Sequence, residues 1–335
     1  MTVQCVSPAH ARRALPHLLA ALAVLTGISA LPAYSQSWPG KPIRVITPFT
    51  AGSAVDTIAR VLGQQMAEQL GQPVVIDNRT GANGIIGTEA AVKSPADGYT
   101  LLLANDAILA ANPALYAKLP YDPLRDLVPV TLVSSVPLIL VVHPSLPARN
   151  VKELIALARS RPGQLNFASG GTGSAQHLPM ELLQSMAGVK MVHVAYKGLG
   201  PALQDVMGGH VPVMFAGMSN VVPFAKENKV RLIAISTARR SPALPEVPTV
   251  AESGLPGFAY AAWNGFLVPT GTSPAIVKRL NSEIVRALAS PEVRAKLAPL
   301  GFELIGAGPD EFASLIRTDL DRIGRIVRDA GIKAE

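Results

Sequence analysis

The stretch "IRVITPFTAGSAVDTIARVLGQQMAEQLG", residues 43–71, reads as a strand, a tight loop and a helix. Ile43, Val45 and Ile46 fall in a short, β-branched apolar run of buried-strand length. Past the loop, Val55, Ile58, Ala59, Leu62, Met66 and Leu70 recur at helical spacing and share one face. Ser53 and Asp56 form a capping-box-like start; Gly71 predicts the stop, with Pro73 just beyond it.

The same unit recurs along the chain. "PVVIDN" (73–78) precedes "GIIGTEAAVKS" (84–94), and "YTLLLAND" (99–106) precedes "PALYAKL" (113–119). "QLNFASG" (164–170), "VHVAYKG" (192–198) and "VPVMFAG" (211–217) are each followed by an amphipathic stretch. Such alternation predicts α/β sheets that are largely parallel. The apolar run 126–145 is too long for one average strand and is broken by Pro137, so it is expected to cross between domains. A second crossing is expected at "YAAWNGFLVP" (260–269). The first lobe would then hold residues 36–135 and 256–335, and the second 136–255.

The first 35 residues read as an export signal: Arg12 and Arg13, an apolar core "LLAALAVLTGI", and Ala33 and Ser35 at small-residue positions before a cleavage point. That core is well short of the roughly 20 residues that span a bilayer. Cys5 is the only cysteine and would leave with the signal, which excludes disulfides, thiolate metal sites and cysteine nucleophiles from the mature chain. Loss of Arg12 and Arg13 lowers the formal charge from +7 to +5, and the basic residues are scattered. With 5% aromatic residues and no basic run, nucleic acid is not an expected partner.

In doubly wound sheets, ligands sit beyond the carboxyl ends of strands, at helix N-termini whose free N–H groups favour anions. Four glycine-containing loops occupy such places: 47–56, 79–87, 168–177 and 196–201. None is a P-loop, since no G-x-x-x-x-G-K-[ST] occurs. "ASGGTGSAQH" (168–177) departs from G-x-G-x-x-G at Gln176, and from a G-x-S-x-G nucleophile elbow at Thr172 and Gln176. Ser174 and His177 have the spacing of a helix cap and a first-turn residue, which is weighed against a nucleophile and its base. The histidines after the signal, His143, His177, His193 and His210, lack metal-binding spacing, so neither a metal nor a cofactor is expected. Asp56 is placed to brace the first loop without touching a ligand.

Six separated stretches, 38–62, 75–105, 112–133, 166–183, 194–211 and 231–257, taken in order, resemble the Bug or TctC family, whose members are periplasmic substrate-binding receptors of tripartite tricarboxylate transporters. The resemblance implies a type II periplasmic-binding-protein fold, with two α/β lobes, a hinge and an organic acid held in the interlobe cleft. It implies no catalysis, a monomer in the periplasm, and as partners a small carboxylate and membrane transporter subunits. The alternatives are a ligand-sensing partner of a two-component kinase and a secreted serine hydrolase using Ser174 and His177. Mapped onto this chain, the first lobe would contribute Thr50, Ala51, Gly52, Ser53 and Asn105. The second would contribute Ser169, Gly170, Gly171, Thr172, Gly173, Ser174, His177, Tyr196, Lys197 and Gly198. Met218, Ser219 and Trp263 are expected at the ligand's distal end. Ser53 stands where the family commonly has glycine.

Overall fold

The computed structural model describes residues 38–333; the expected export signal lies outside them. The opening unit forms as its sequence predicts. Strand β1 (Ile43–Thr47) leads through the 48–53 loop into helix α1 (Ala54–Leu70). The Ser53 side chain caps α1 by accepting the Asp56 N–H, and Gly71 closes it in the left-handed conformation that glycine adopts without penalty. Val55, Ile58, Ala59, Leu62 and Met66 are buried.

β2 (Val74–Asn78), α2 (Ile85–Val92), β3 (Thr100–Asn105), a helical turn over Ala107–Ala111 and the short α3 (Asn112–Leu115) follow. β4 (Leu127–Val136) ends beside Pro137, and β5 (Leu138–Val142) belongs to a different sheet. Around β5 are built α4 (Val151–Ser160), β6 (Asn166–Ser169), α5 (His177–Ala187), β7 (Val192–Ala195), α6 (Leu199–Met207), β8 (Val213–Gly217), α7 (Met218–Lys226) and β9 (Arg231–Ile235). The chain then returns to the first sheet as β10 (Ala262–Pro269), followed by α8 (Pro274–Ala289), α9 (Pro291–Leu297), β11 (Glu303–Ala307) and the long α10 (Pro309–Asp329).

The first sheet has the order β11-β4-β10-β3-β1-β2 and the second β7-β6-β8-β5-β9. Both are mixed, which departs from the expectation of largely parallel sheets. β1 pairs in parallel with β2 and β3, and β6 with β7 and β8. β10 runs antiparallel to both β3 and β4, and β5 runs antiparallel to both β8 and β9. The antiparallel members β10 and β5 adjoin the crossings, while β11, antiparallel to β4, lies at the edge of the first sheet. Strand and helix alternation reports the parallel half of each sheet and carries no signal for the direction in which a crossing strand arrives.

The two crossings meet at one buried hydroxyl. Ser236, at the end of β9, is fully buried; its Oγ accepts the Leu138 N–H at 3.0 Å and donates to the Tyr260 carbonyl at 2.6 Å. Its backbone bonds the same two residues, donating to Leu138 O and accepting from Tyr260 N–H, both at 2.8 Å. Across the same junction, the Tyr260 hydroxyl donates to Asp106 Oδ2 at 2.5 Å, and Arg322 on α10 donates to the Ala259 carbonyl at 2.9 Å. α10 itself spans two cores: Phe312 and Ile316 pack with the first sheet, Ile323 and Val327 with the second. No helix of the described residues is long and apolar enough to cross a membrane.

Ser236→Ala strands a buried amide and a buried carbonyl, each of which costs about 1–3 kcal/mol when left without a partner. Calorimetry should show a melting temperature lower by roughly 4 °C or more, at the 2–4 °C per kcal/mol expected of a protein near this size. An unchanged melting temperature would show that the junction does not depend on this hydroxyl.

Candidate functional site

Between the two sheets lies a cavity of about 560 Å³. The first-sheet side supplies Phe49 to Ser53, Val55, Asn83, Asn105, Ala107 and Asn264. The other side supplies Gly170, Ser174, Ala175, Gln176, Gly198, Leu199, Gly217 and Asn220, with Val136, Leu138, Ala262 and Trp263 at the crossings. No lining residue carries a charge.

The positive potential of this cavity comes from the backbone. Four lining residues are helix N-caps: Ser53 of α1, Gln176 of α5, Gly198 of α6 and Gly217 of α7. The first N–H groups of a helix have no intrahelical acceptor, and the helix dipole adds to them a partial positive charge. One helix end from the first side thus opposes three from the second. The close approach needs small residues: a Cβ at Gly170 would come within 3.2 Å of both Leu199 N and Gln176 Oε1.

Beneath the first loop sits a carboxylate that holds its backbone and is not among the residues lining the cavity. Asp56 is 1% exposed; its Oδ2 accepts the Gly52 N–H at 2.8 Å and the Arg60 Nε–H at 2.8 Å, while Oδ1 accepts from Asn78 at 2.8 Å. Burial alone pushes this carboxyl up, but the bonds from Arg60, Gly52 and Asn78 together outweigh burial and hold it below the ordinary aspartate value. Asn78 Nδ2 also reaches the Phe49 carbonyl, so the loop is tied down at both of its ends.

Of the residues expected from sequence, Thr50, Ala51, Gly52, Ser53, Asn105, Gly170, Ser174, Gly198 and Trp263 line the cavity. The others lie around it. Ser169 is fully buried below the second loop, where its Oγ–H donates to Gly171 O at 3.0 Å and its Oγ accepts the Gly171 N–H at 3.1 Å. Gly171, Thr172 and Gly173 form the rim, and Gly173 abuts Leu115 and Asn83 of the opposite side. Tyr196 turns its hydroxyl to Asp205 Oδ2 at 2.6 Å, and burial foremost, then that carboxylate, push its phenol up to about 12. Lys197 is exposed. Met218 is buried in the second core; its neighbours Gly217 and Asn220, three apart on one face of α7, are the ones that reach the cavity.

His177 is 3% exposed and absent from the lining. Its Nδ1 accepts the Gly173 N–H at 3.0 Å and its Nε2 faces Glu181 Oε1 at 3.2 Å. Ser174 Oγ bonds the His177 backbone N–H, as a cap does, and not the imidazole. The pair therefore lacks the nucleophile-to-base bond, and the cap position of α5 falls to Gln176 and not to Ser174 as expected. Asn83, Asn220, Asn264 and Gln176 are lining amides that sequence reasoning did not single out. Asn83 reaches the cavity in a positive-φ conformation, anchored by Nδ2 to Asn112 Oδ1 at 2.7 Å and by its carbonyl to Asn112 Nδ2 at 3.0 Å.

A family profile described as "Tripartite tricarboxylate transporter family receptor" matches residues 58–332. The chain belongs to that family. Protein BugT of Bordetella pertussis is 40% identical over 323 residues, covering 95% of this chain and 99% of its own. Among solved structures, Rpa4515 of R. palustris with adipate superposes with a TM-score of 0.80 at 36% identity, covering 88% of this chain and 99% of that one. MatC of Rhodopseudomonas palustris with bound malate gives 0.77 at 34% identity, covering 87% and 100%. The fold is that of the periplasmic binding proteins, two α/β lobes about a hinge with a cleft between them. The family is one of periplasmic solute receptors, not of enzymes.

Gly171 and Gly173 carry φ of +135° and +74°. At Gly173 a Cβ would also run into the Leu115 side chain, whereas at Gly171 the nearest atom is Tyr196 O at 3.5 Å. Gly171→Val is therefore expected to fold with a cost of about 1–2 kcal/mol from backbone strain, and Gly173→Val with a larger one. Thermal unfolding of both variants measures this; equal melting temperatures would sink the close-packed reading of the Gly173 rim.

Proposed function

We propose that this chain is an extracytoplasmic receptor that binds a small organic carboxylate in the interlobe cleft and delivers it to a tripartite tricarboxylate-type membrane transporter. The observation that carries the reading is a cavity without charged side chains, ringed from both sides by helix N-termini. Such an environment favours an anion over a neutral or cationic solute, because each helix end contributes about 0.3–1 kcal/mol, and more when partly buried. Malate and adipate in the solved relatives support the class.

In this reading the lobes are 36–135 with 256–335, and 136–255, and they close on the ligand. Thr50 to Ser53 and Asn105 face the carboxylate from the first lobe, with Gly170, Ser174 and Gly198 facing it from the second. Trp263 stands at the distal end. The protein acts as a monomer in the periplasm, exported by its first 35 residues.

Two measurements test this. Native mass spectrometry of freshly purified protein is expected to reveal a co-purified acid. Across a panel that includes adipate and malate, a cognate acid at 100 times its Kd should stabilise the fold by about 2.7 kcal/mol and compact it in small-angle scattering. Absence of any thermal shift across mono-, di- and tricarboxylates would refute the carboxylate reading; binding without compaction would refute closure.

A further inference from the structure

The second cavity loop rests on a pair of stacked imidazoles. The rings of His177, at the start of α5, and His193, on β7, lie 3.7 Å apart and 9° from parallel, with Phe167 of β6 beside both, 5.0 Å from His193 and 5.9 Å from His177. Each ring is tied to one of the loop's positive-φ glycines. Gly173 donates its N–H to His177 Nδ1 at 3.0 Å. Gly171 bonds Ser169 Oγ through both its N–H and its carbonyl, and that hydroxyl meets His193 Nε2 at 2.6 Å. Gly170 and Ser174 to Gln176, on either side of this anchored stretch, line the cavity.

The bond from Gly173 decides the state of His177. A ring nitrogen that accepts a hydrogen bond carries no proton, so the neutral tautomer has its hydrogen on Nε2, directed at Glu181 Oε1, 3.2 Å away. The titratable groups facing His177 are Glu181 on its own helix and His193 on β7; β6 presents Phe167 and the loop presents the Gly173 amide. Burial foremost, and then the neighbouring His177, push His193 down to about 3. A proton on Nδ1 sets donor against donor at the Gly173 amide. The ring is held by the His193 stack and by Glu181, so the conflict falls on the loop.

We propose that His177 is a positioning residue for ligand binding: its neutral, Nδ1-accepting imidazole holds the 170–176 loop in its binding geometry, and protonation at Nδ1 releases that loop and weakens binding. The histidine does this without touching the ligand.

The effect on the ligand rests on the carboxylate reading above, so the loop is measured first in the ligand-free protein. Hydrogen–deuterium exchange of peptides covering residues 169–178, corrected for the intrinsic pH dependence of exchange, is followed from pH 8 to pH 5. Wild-type protection is expected to fall about tenfold, the equivalent of one buried hydrogen bond. In His177→Asn the side-chain oxygen stands where Nδ1 stands and takes up no proton in this range, so protection stays level. In His177→Ala protection is low throughout. A level wild-type profile, or a fall of the same size in His177→Asn, or full protection in His177→Ala, overturns the proposal. Adipate is then titrated calorimetrically over the same range, with both proteins meeting the same ionisation state of the probe. Acid is expected to weaken adipate binding more in wild type than in His177→Asn; identical profiles overturn the role in binding. If exchange behaves as expected but no acid of the panel binds, the carboxylate reading fails and the control of the loop by His177 stands.

Discussion

The architecture depends on a double crossing held at one point. Two segments pass between the sheets, at Pro137 and near Tyr260, and Ser236 bonds both of them through its backbone and its hydroxyl. A single crossing would leave the two sheets as independent bodies on a tether. Two crossings, clasped side by side, restrict them to motion about one axis. The clasp also fixes which ends of the sheets face one another: the residues that follow β1, β3, β6 and β8 all line the same cavity. In α/β sheets those are the ends where helix N-termini begin, so the topology converts ordinary helix starts into one shared positive environment.

That environment works because charge is kept out of it. Dipoles fixed in the fold stabilise an anion without a counter-ion that must first be desolvated, and the cost of orienting them is met during folding. The brace below the first loop follows the same logic. Asp56 holds the Gly52 amide and is itself neutralised by Arg60, so its charge is compensated locally and not presented to the cavity. Below the second loop the supports that meet the backbone are a hydroxyl and an imidazole, with Glu181 one step further back, against His177. Modest, additive dipole contributions suit a receptor that must release what it binds.

How far the site is legible in sequence depends on whether a residue's role is local. The start and stop of α1 are local: Ser53, Asp56 and Gly71 act within a few residues, and even the bracing role of Asp56 follows from its distance to the loop. The two crossings are semi-local, marked by Pro137 and by an apolar run longer than one strand. Asn83 is different, since it faces the cavity only because Asn112, 29 residues on, holds it in a positive-φ turn. Helix register decides the case of α7, where a shift of one residue separates Met218 in the core from Gly217 in the cavity. For His177, spacing placed the residue beside the loop and Glu181 one turn on along the same helix, but the direction of its ring also depends on His193, which no local pattern connects to it.

The clasp and the loop support each bury a titratable group, and the two respond to pH in opposite senses. Asp106, fully buried at the end of β3, is pushed up to about 6 by burial foremost, with the Tyr260 hydroxyl and Arg322 opposing burial and Asp319 adding to it. Between the ordinary aspartate value of 3.8 and about 6 the folded chain therefore binds more protons than the unfolded one, and this group's contribution is lost as pH rises through that window. His193, pushed down from 6.5 to about 3, does the reverse: the unfolded chain binds the extra proton, and stability falls as pH drops below 6.5. Over the shared range the two slopes offset each other. Asp106→Asn removes one of them while leaving an acceptor for Tyr260, and is expected to raise stability by roughly 1–3 kcal/mol at pH 8, where the buried charge is present in the wild type. The advantage should shrink as pH falls towards 4, where both proteins are neutral at this position. Calorimetric melting of the two proteins between pH 4 and pH 8 reads the difference directly; a difference that does not vary with pH would mean that Asp106 holds the same charge in the clasp and in the unfolded chain.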